Sequence, residues 1–187
     1  MIVDPKTGWV RGIRRVVSPN HDERPVGSEP TLIVVHGISL PPAEFGTGWI
    51  DRFFCNDLPG DVHPFFATIC DSTVSAHVLI ARDGALTQYV PFHRRAWHAG
   101  RSEHCGRTAC NDFSIGIELE GTDELPYEAA QYRALADVVA ALRRAYPSLV
   151  NADIVGHSDI APGRKTDPGP SFDWAELKRQ LAIASPT

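Results

Sequence analysis

Phe113-Ser114-Ile115-Gly116-Ile117-Glu118-Leu119-Glu120 alternates between apolar side chains and small or acidic ones. Successive side chains of an extended strand point to opposite faces. The run therefore predicts a strand with Phe113, Ile115, Ile117 and Leu119 on a core face and Ser114, Gly116, Glu118 and Glu120 on the other. Glu118 is then held away from the apolar side in mid-strand, whereas Glu120 falls at the strand end.

Working outward, Thr31 to His36 is a β-branched run that reads as a buried strand, with His36 at its edge and a Gly-Ile-Ser-Leu-Pro-Pro loop directly after it. Val74 to Ile80 alternates as a further strand. Arg82-Asp83-Gly84 turns it back through Ala85 to Val90, because an Asp-Gly pair suits the positive backbone angles of a tight hairpin. Trp49, Ile50, Phe53 and Phe54 recur at helical spacing. Tyr132, Leu135, Val139, Leu142 and Tyr146 form the stripe of one long amphipathic helix from Tyr127 to Tyr146, ended by Pro147. A last helix is expected from about Asp173, with Trp174, Leu177 and Leu181 on one face. Arg95 to Asn111, rich in Gly, His, Arg and Cys, reads as a surface loop lining a site. The expected fold class is α/β (α+β): a single domain over residues 1–187, with a mixed central sheet flanked by helices.

The chain has 187 residues, 43% of them hydrophobic, enough for one substantial core. A formal charge of −5 argues against a nucleic-acid partner, since polyanion binding depends on clustered Lys and Arg. It equally argues against adhesion to anionic membranes. No segment approaches the roughly 20 apolar residues of a membrane span, and Met1 to Arg15 lacks a signal-peptide core, so a cytoplasmic location is expected. In that compartment Cys55, Cys70, Cys105 and Cys110 are expected as free thiols.

Two histidines and an aspartate carry the metal chemistry. His36 follows the first strand, and His157 and Asp167 share the proline- and glycine-rich segment Gly156 to Pro170. Two imidazoles and one carboxylate with an open fourth position suit catalytic zinc, which lowers the pKa of water to roughly 7. Glu118 is the candidate proton acceptor, and Lys165 a candidate cation beside a developing oxyanion. Each has a plainer reading. A histidine ending a strand is as readily a hydrogen-bonded hinge residue, Glu118 an edge carboxylate paired with an arginine, and Lys165 a solvated charge. His98, His104, Cys105 and Cys110 make a rival cluster, but they lack the paired spacing of structural zinc sites. His21, His63 and His93 read as surface residues.

Several longer motifs then fall into order: Val34-Val35-His36-Gly37-Ile38-Ser39-Leu40-Pro41-Pro42, Val74-Ser75-Ala76-His77, Arg95-Ala96-Trp97-His98-Ala99-Gly100, Cys110 to Asp123, and Arg164-Lys165-Thr166-Asp167-Pro168-Gly169. Together they resemble the zinc N-acetylmuramoyl-L-alanine amidases from about Trp9 to about Trp174. The resemblance implies the fold shared with phage amidases and peptidoglycan recognition proteins. It implies one Zn2+ on His36, His157 and Asp167, with Glu118 as proton acceptor and Lys165 stabilising the transition state. It further implies a small anhydro-muropeptide as substrate, a monomeric enzyme of cell-wall recycling, and through recycling an effect on β-lactamase induction. Trp97 and His98 would line the cleft, and His77 would support or contact the substrate. The chain departs from some relatives at Gly37, where they carry Asn, and at Thr73 and Ala109, where they carry arginines for the stem-peptide carboxylates. Arg107 is the candidate to replace such a contact.

Overall fold

The computed structural model describes residues 1–184. A six-stranded sheet organises them, built in chain order from β1 (Arg14–Arg15), β2 (Leu32–Ile38), β3 (Val78–Ile80), β4 (Leu86–Gln88), β5 (Ser114–Glu120) and β6 (Asp153–Gly156). Side by side the order is β6-β2-β5-β3-β4-β1. The first four in that order are mutually parallel, β4 returns antiparallel to β3, and β1 lies parallel to β4. The mixed sheet expected from the sequence is therefore present.

Five α-helices accompany it among the described residues: α1 (Trp49–Phe54), α2 (Pro64–Ile69), α3 (Ala129–Ala145), α4 (His157–Ile160) and α5 (Trp174–Ala184). One sheet face takes Ile33 and Val35 of β2 and Ile115, Ile117 and Leu119 of β5 against Leu135, Val139 and Leu142 of α3. Full burial of each such side chain is worth about 1.5–3 kcal/mol. Gln131 fixes the start of α3 to the sheet: its side-chain oxygen accepts from the Glu128 amide, and its NH2 donates to the Ile80 and Glu120 carbonyls. Asp173 caps α5 by accepting from the Ala175 and Glu176 amides.

The other face is covered as well, so β5 is buried along its whole length. A central strand of a parallel sheet has no solvent side, and of the small and acidic residues of β5 it is Glu118 that lines a cleft. Phe113 departs from the expected alternation. It stands just before β5 with φ −133° and ψ 16°, which is not extended, and it packs with Leu32, Val34, Cys110 and Ile160 on the face opposite Ile115. Three further details differ from the sequence expectation. Strand β2 runs on through Gly37 and Ile38, so His36 is an interior strand residue. Strand β3 is confined to Val78–Ile80. In the hairpin, Gly84 alone of the Asp-Gly pair has positive φ, at 86°, and the turn is closed by Gly84 N–H to Ala81 and Ala81 N–H to Ala85. This is the three-residue loop with a left-handed closing glycine.

Candidate metal centre and active-site cleft

The register of the parallel strands assembles the site. Glu118 of β5 is paired with His36 of β2, and Gly156 of β6 with Val35, one residue before His36. His157, which follows Gly156 and opens α4, thus comes level with His36, and His157, His36 and Glu118 form a row from the end of β6 across β2 to β5. The row sits towards the C-terminal ends of the strands, where open parallel sheets place their ligand crevices. Asp167 reaches the row from the loop after α4, where the Ser158 amide donates to its carbonyl and Tyr127 Oη donates to Pro168 O.

Three donor atoms converge there. His36 Nδ1 lies 3.0 Å from His157 Nδ1 and 3.1 Å from Asp167 Oδ2, and His157 Nδ1 lies 3.2 Å from Asp167 Oδ2. Both histidines are buried. His157 Nε2 is 3.2 Å from the Ala99 carbonyl and is placed to donate to it; in that tautomer Nδ1 is a lone pair facing a carboxylate oxygen. His36 Nε2 meets His98 Nδ1 at 2.9 Å, and His98 Nε2 meets Ser114 Oγ at 3.1 Å, so its outer nitrogen is likewise engaged. Imidazoles anchored through the outer nitrogen and bare at the inner one are the usual preparation of histidine for a metal. Tetrahedral ligands about 2.0 Å from a zinc ion stand about 3.3 Å from one another, close to the separations seen here. The donor set fits a divalent metal.

Burial sets the charge states. It pushes His36 down to about 4 against the opposing pull of Asp167, and drives His98 well below the ordinary imidazole range, with His36 and His77 adding to the effect. Burial resists ionisation of Asp167, but the adjoining His157 and His36 rings outweigh it and hold the carboxyl below its usual range. Glu118 is displaced the opposite way: burial, then the nearby Asp167 charge, raise it well above the usual carboxylate range, against a smaller pull from Lys165. Its Oε2 is buried with no hydrogen-bond partner among the described residues. Glu120, by contrast, accepts from the Gly46 and Arg82 amides and is occupied in tying loops together.

A cleft of about 360 Å³ joins these groups and is lined by His36, Glu118, His157 and Asp167, with His98 and the exposed Lys165. Its apolar wall comes from Phe53 of α1 and from Phe65 and Ile69 of α2. A larger depression of about 1050 Å³, bordered by Arg101, Ala109 and Arg164, carries none of the converging donors. Size does not locate the chemistry in this molecule.

The remaining sequence candidates lie elsewhere. His77 is fully buried, taking the Gly116 amide on Nδ1 and facing the Arg94 carbonyl with Nε2, and it is not among the residues lining the cleft. Trp97 directs its indole N–H to Asp22 and is likewise outside the lining. Arg107 stacks on Phe113 at 3.8 Å and donates to Thr31 Oγ1. Thr31 precedes β2, five residues and roughly 17 Å of strand before His36, so Arg107 does not reach the cleft in this conformation. His98, His104, Cys105 and Cys110 do not converge: His98 lies in the cleft lining and Cys110 is buried beneath Phe113.

Sequence reasoning missed the positioning groups. Asn111 Oδ1 accepts from the His98 and Ala99 amides and so sets both the ring that supports His36 and the carbonyl that holds His157. Gly116 leaves room for the His98 ring, since a Cβ there would fall 2.4–2.6 Å from ring atoms. A glycine inside a well-patterned strand is the signal that something packs close against it. At Gly37 a Cβ would meet Tyr127 Oη at 2.3 Å, so a larger residue requires Tyr127 to move.

Fold and site together define a hydrolase built on a mixed sheet, with a His-His-Asp group that could hold a metal ion. Residues 26–170 match the family model described as N-acetylmuramoyl-L-alanine amidase, and the chain belongs to that family. It is 59% identical over 171 residues to the 1,6-anhydro-N-acetylmuramyl-L-alanine amidase AmpD of Escherichia coli K12, covering 91% of this chain and 93% of that one. The AmpD of Haemophilus influenzae is 49% identical, over 92% and 94% of the two chains. A crystal structure of a selenomethionine AmpD derivative superposes with a TM-score of 0.93 at 56% identity, covering 97% of this chain and 99% of that one.

Proposed function

We propose that this chain hydrolyses the amide between the lactyl group of 1,6-anhydro-N-acetylmuramic acid and L-alanine of the stem peptide, as part of cell-wall recycling in the cytoplasm. The observation that carries the reading is the convergence of His36 Nδ1, His157 Nδ1 and Asp167 Oδ2 in one cleft with a buried Glu118 Oε2 that has no partner among the described residues. Identity to AmpD over most of both chains supports the choice of bond and substrate. One catalytic domain over residues 1–187, acting as a monomer on a small muropeptide, completes the proposal. Among the described residues no helix is long and apolar enough to cross a membrane.

His36, His157 and Asp167 would hold zinc. When bound, zinc supplies Lewis acidity that polarises a carbonyl and brings the pKa of a water to about 7. Glu118 takes the proton of the attacking water and returns it to the departing alanine nitrogen; burial raises its proton affinity towards the range a base at neutral pH requires. Lys165 offers a cation to the carbonyl oxygen as it gains charge, a contribution on the order of three kcal/mol for a well-placed donor. Phe65 and Ile69 offer an apolar wall to the sugar and lactyl methyl. His98 and Asn111 hold the histidines in orientation.

Mass spectrometry of products from purified anhydro-muropeptides tests this. Free stem peptide should appear with metal present and vanish with chelator, and intact sacculi should be cut more slowly. Intact muropeptide under both conditions, or faster cleavage of sacculi, overturns the assignment.

A further inference from the structure

Asp153, at the start of β6, joins His104 and Cys105 into a second group of donors outside the cleft. His104 Nε2 lies 3.1 Å from Asp153 Oδ2 and 3.5 Å from Cys105 Sγ, and the three donor atoms all fall within 4.8 Å of one another. Ligands of a tetrahedral site stand about 3.3 Å apart for nitrogen and oxygen, and about 3.6 Å for sulfur and nitrogen. His104 is only partly exposed, whereas Cys105 and Asp153 are open to solvent, so an ion has a direct route in.

The backbone around Cys105 adds a separate observation. Glu103–His104 and Arg107–Thr108 form a small antiparallel hairpin with His104 paired to Arg107. Its two-residue turn is Cys105-Gly106, with φ of 48° and 78°. Such turns favour Asn-Gly or Gly-Gly, and a side chain other than Gly, Asn or Asp in the left-handed region costs roughly 1–2 kcal/mol. Turn formation alone gives no reason for cysteine at this position. The conformation sets its sulfur beside the imidazole of the preceding residue.

We propose that His104, Cys105 and Asp153 form a surface site for a thiophilic divalent cation of the zinc and cobalt type, separate from the His36, His157 and Asp167 centre. A thiolate with an imidazole selects such ions over magnesium or calcium. The ligand is the thiolate, so binding releases a proton and strengthens as pH rises. Three ligands leave one position to water, which makes the site exchangeable. An ion there clips the 103–108 hairpin to β6, the strand that ends one residue before His157. The proposal does not depend on the amidase reading.

Cobalt(II) titration of metal-free protein tests it, because the cleft centre contains no sulfur. Wild-type protein should develop a near-ultraviolet thiolate-to-cobalt charge-transfer band. Cys105→Ser should abolish the band without changing hydrolysis, and His104→Gln and Asp153→Asn should each weaken cobalt affinity at this band at least tenfold. Asp167→Asn should keep the band while losing activity. Absence of the band in wild-type protein overturns the proposal, as does its survival in Cys105→Ser. Equal affinity in wild type, His104→Gln and Asp153→Asn would show a lone thiol and overturns it equally.

Discussion

Glu118 and Gly116 stand two positions apart on one face of β5 and show how a single residue's surroundings decide its use. A Cβ at Gly116 would occupy the space of the His98 ring, whereas Glu118 keeps a carboxyl oxygen in the cleft with no partner among the described residues. Glu118→Gln preserves shape and removes the ability to accept a proton. Turnover of anhydro-muropeptide is expected to fall by roughly 10²–10⁴-fold, the usual weight of a general base, with about one equivalent of zinc retained at the cleft. Burial resists the carboxylate, so the amide should not lower the melting temperature, and lost turnover then reports chemistry. Steady-state kinetics beside elemental analysis decides the matter, and wild-type turnover would remove Glu118 from the mechanism. The alternation of residues 113–120 makes this carboxyl legible from the sequence alone. Its unpartnered state is not legible there, because that depends on the several distant segments that line the cleft around it.

At the scale of elements, runs with a clear period or a turn signal are readable and the others are not. Helix α3 repeats its stripe over 17 residues, and the short β3–β4 hairpin is marked by its Asp-Gly turn. Strand β6 has four residues at a sheet edge, and its apolar content is Ile154 and Val155 alone, too little to distinguish it from a loop. Helix α2 is one and a half turns begun by His63, whose Nδ1 accepts from the Phe65 amide, and by Pro64 at the first position. Pairing of His21–Asp22 with Arg95–Ala96 is shorter still and depends on side chains. Arg95 holds both carboxylate oxygens of Asp22 and also reaches Asp112, and Trp97 Nε1 adds a further donor to Asp22. The Arg95 hydrogen bonds lower Asp22 from 3.8 to about 2. A depressed carboxyl stabilises the fold above its unfolded value and loses that contribution as pH falls from 3.8 through about 2. Asp22 has 41% of its side chain exposed, so Asp22→Asn should destabilise by no more than about 1 kcal/mol at neutral pH. The deficit should shrink as melts are taken towards pH 2. A deficit that stays constant over that range would show that the ion pair is not its source.

For the whole molecule, the decisive fact is how far the chain must travel to bring the donors together. His36 and Asp167 are 131 residues apart in sequence, yet their donor atoms stand 3.1 Å apart. The residue types could be read from the sequence, and their meeting could not, because it follows from strand register and from the loop that Tyr127 fastens at Pro168. A site that exists only in the folded state couples metal binding to stability. The unfolded chain has no such convergence, so an ion at a thousandfold excess over its dissociation constant stabilises the fold by about 4 kcal/mol. For a chain of this length each kcal/mol moves the melting temperature by about 2–4 °C. Zinc-loaded protein should therefore melt upwards of about 8 °C above chelated protein in calorimetry. Asp167→Asn should erase most of that difference by removing one of three ligands, while Cys105→Ser should leave most of it intact because His104, Cys105 and Asp153 lie at the surface. Equal melting temperatures for loaded and chelated wild-type protein would mean that His36, His157 and Asp167 do not grip an ion together, and the proposed chemistry would lose its foundation.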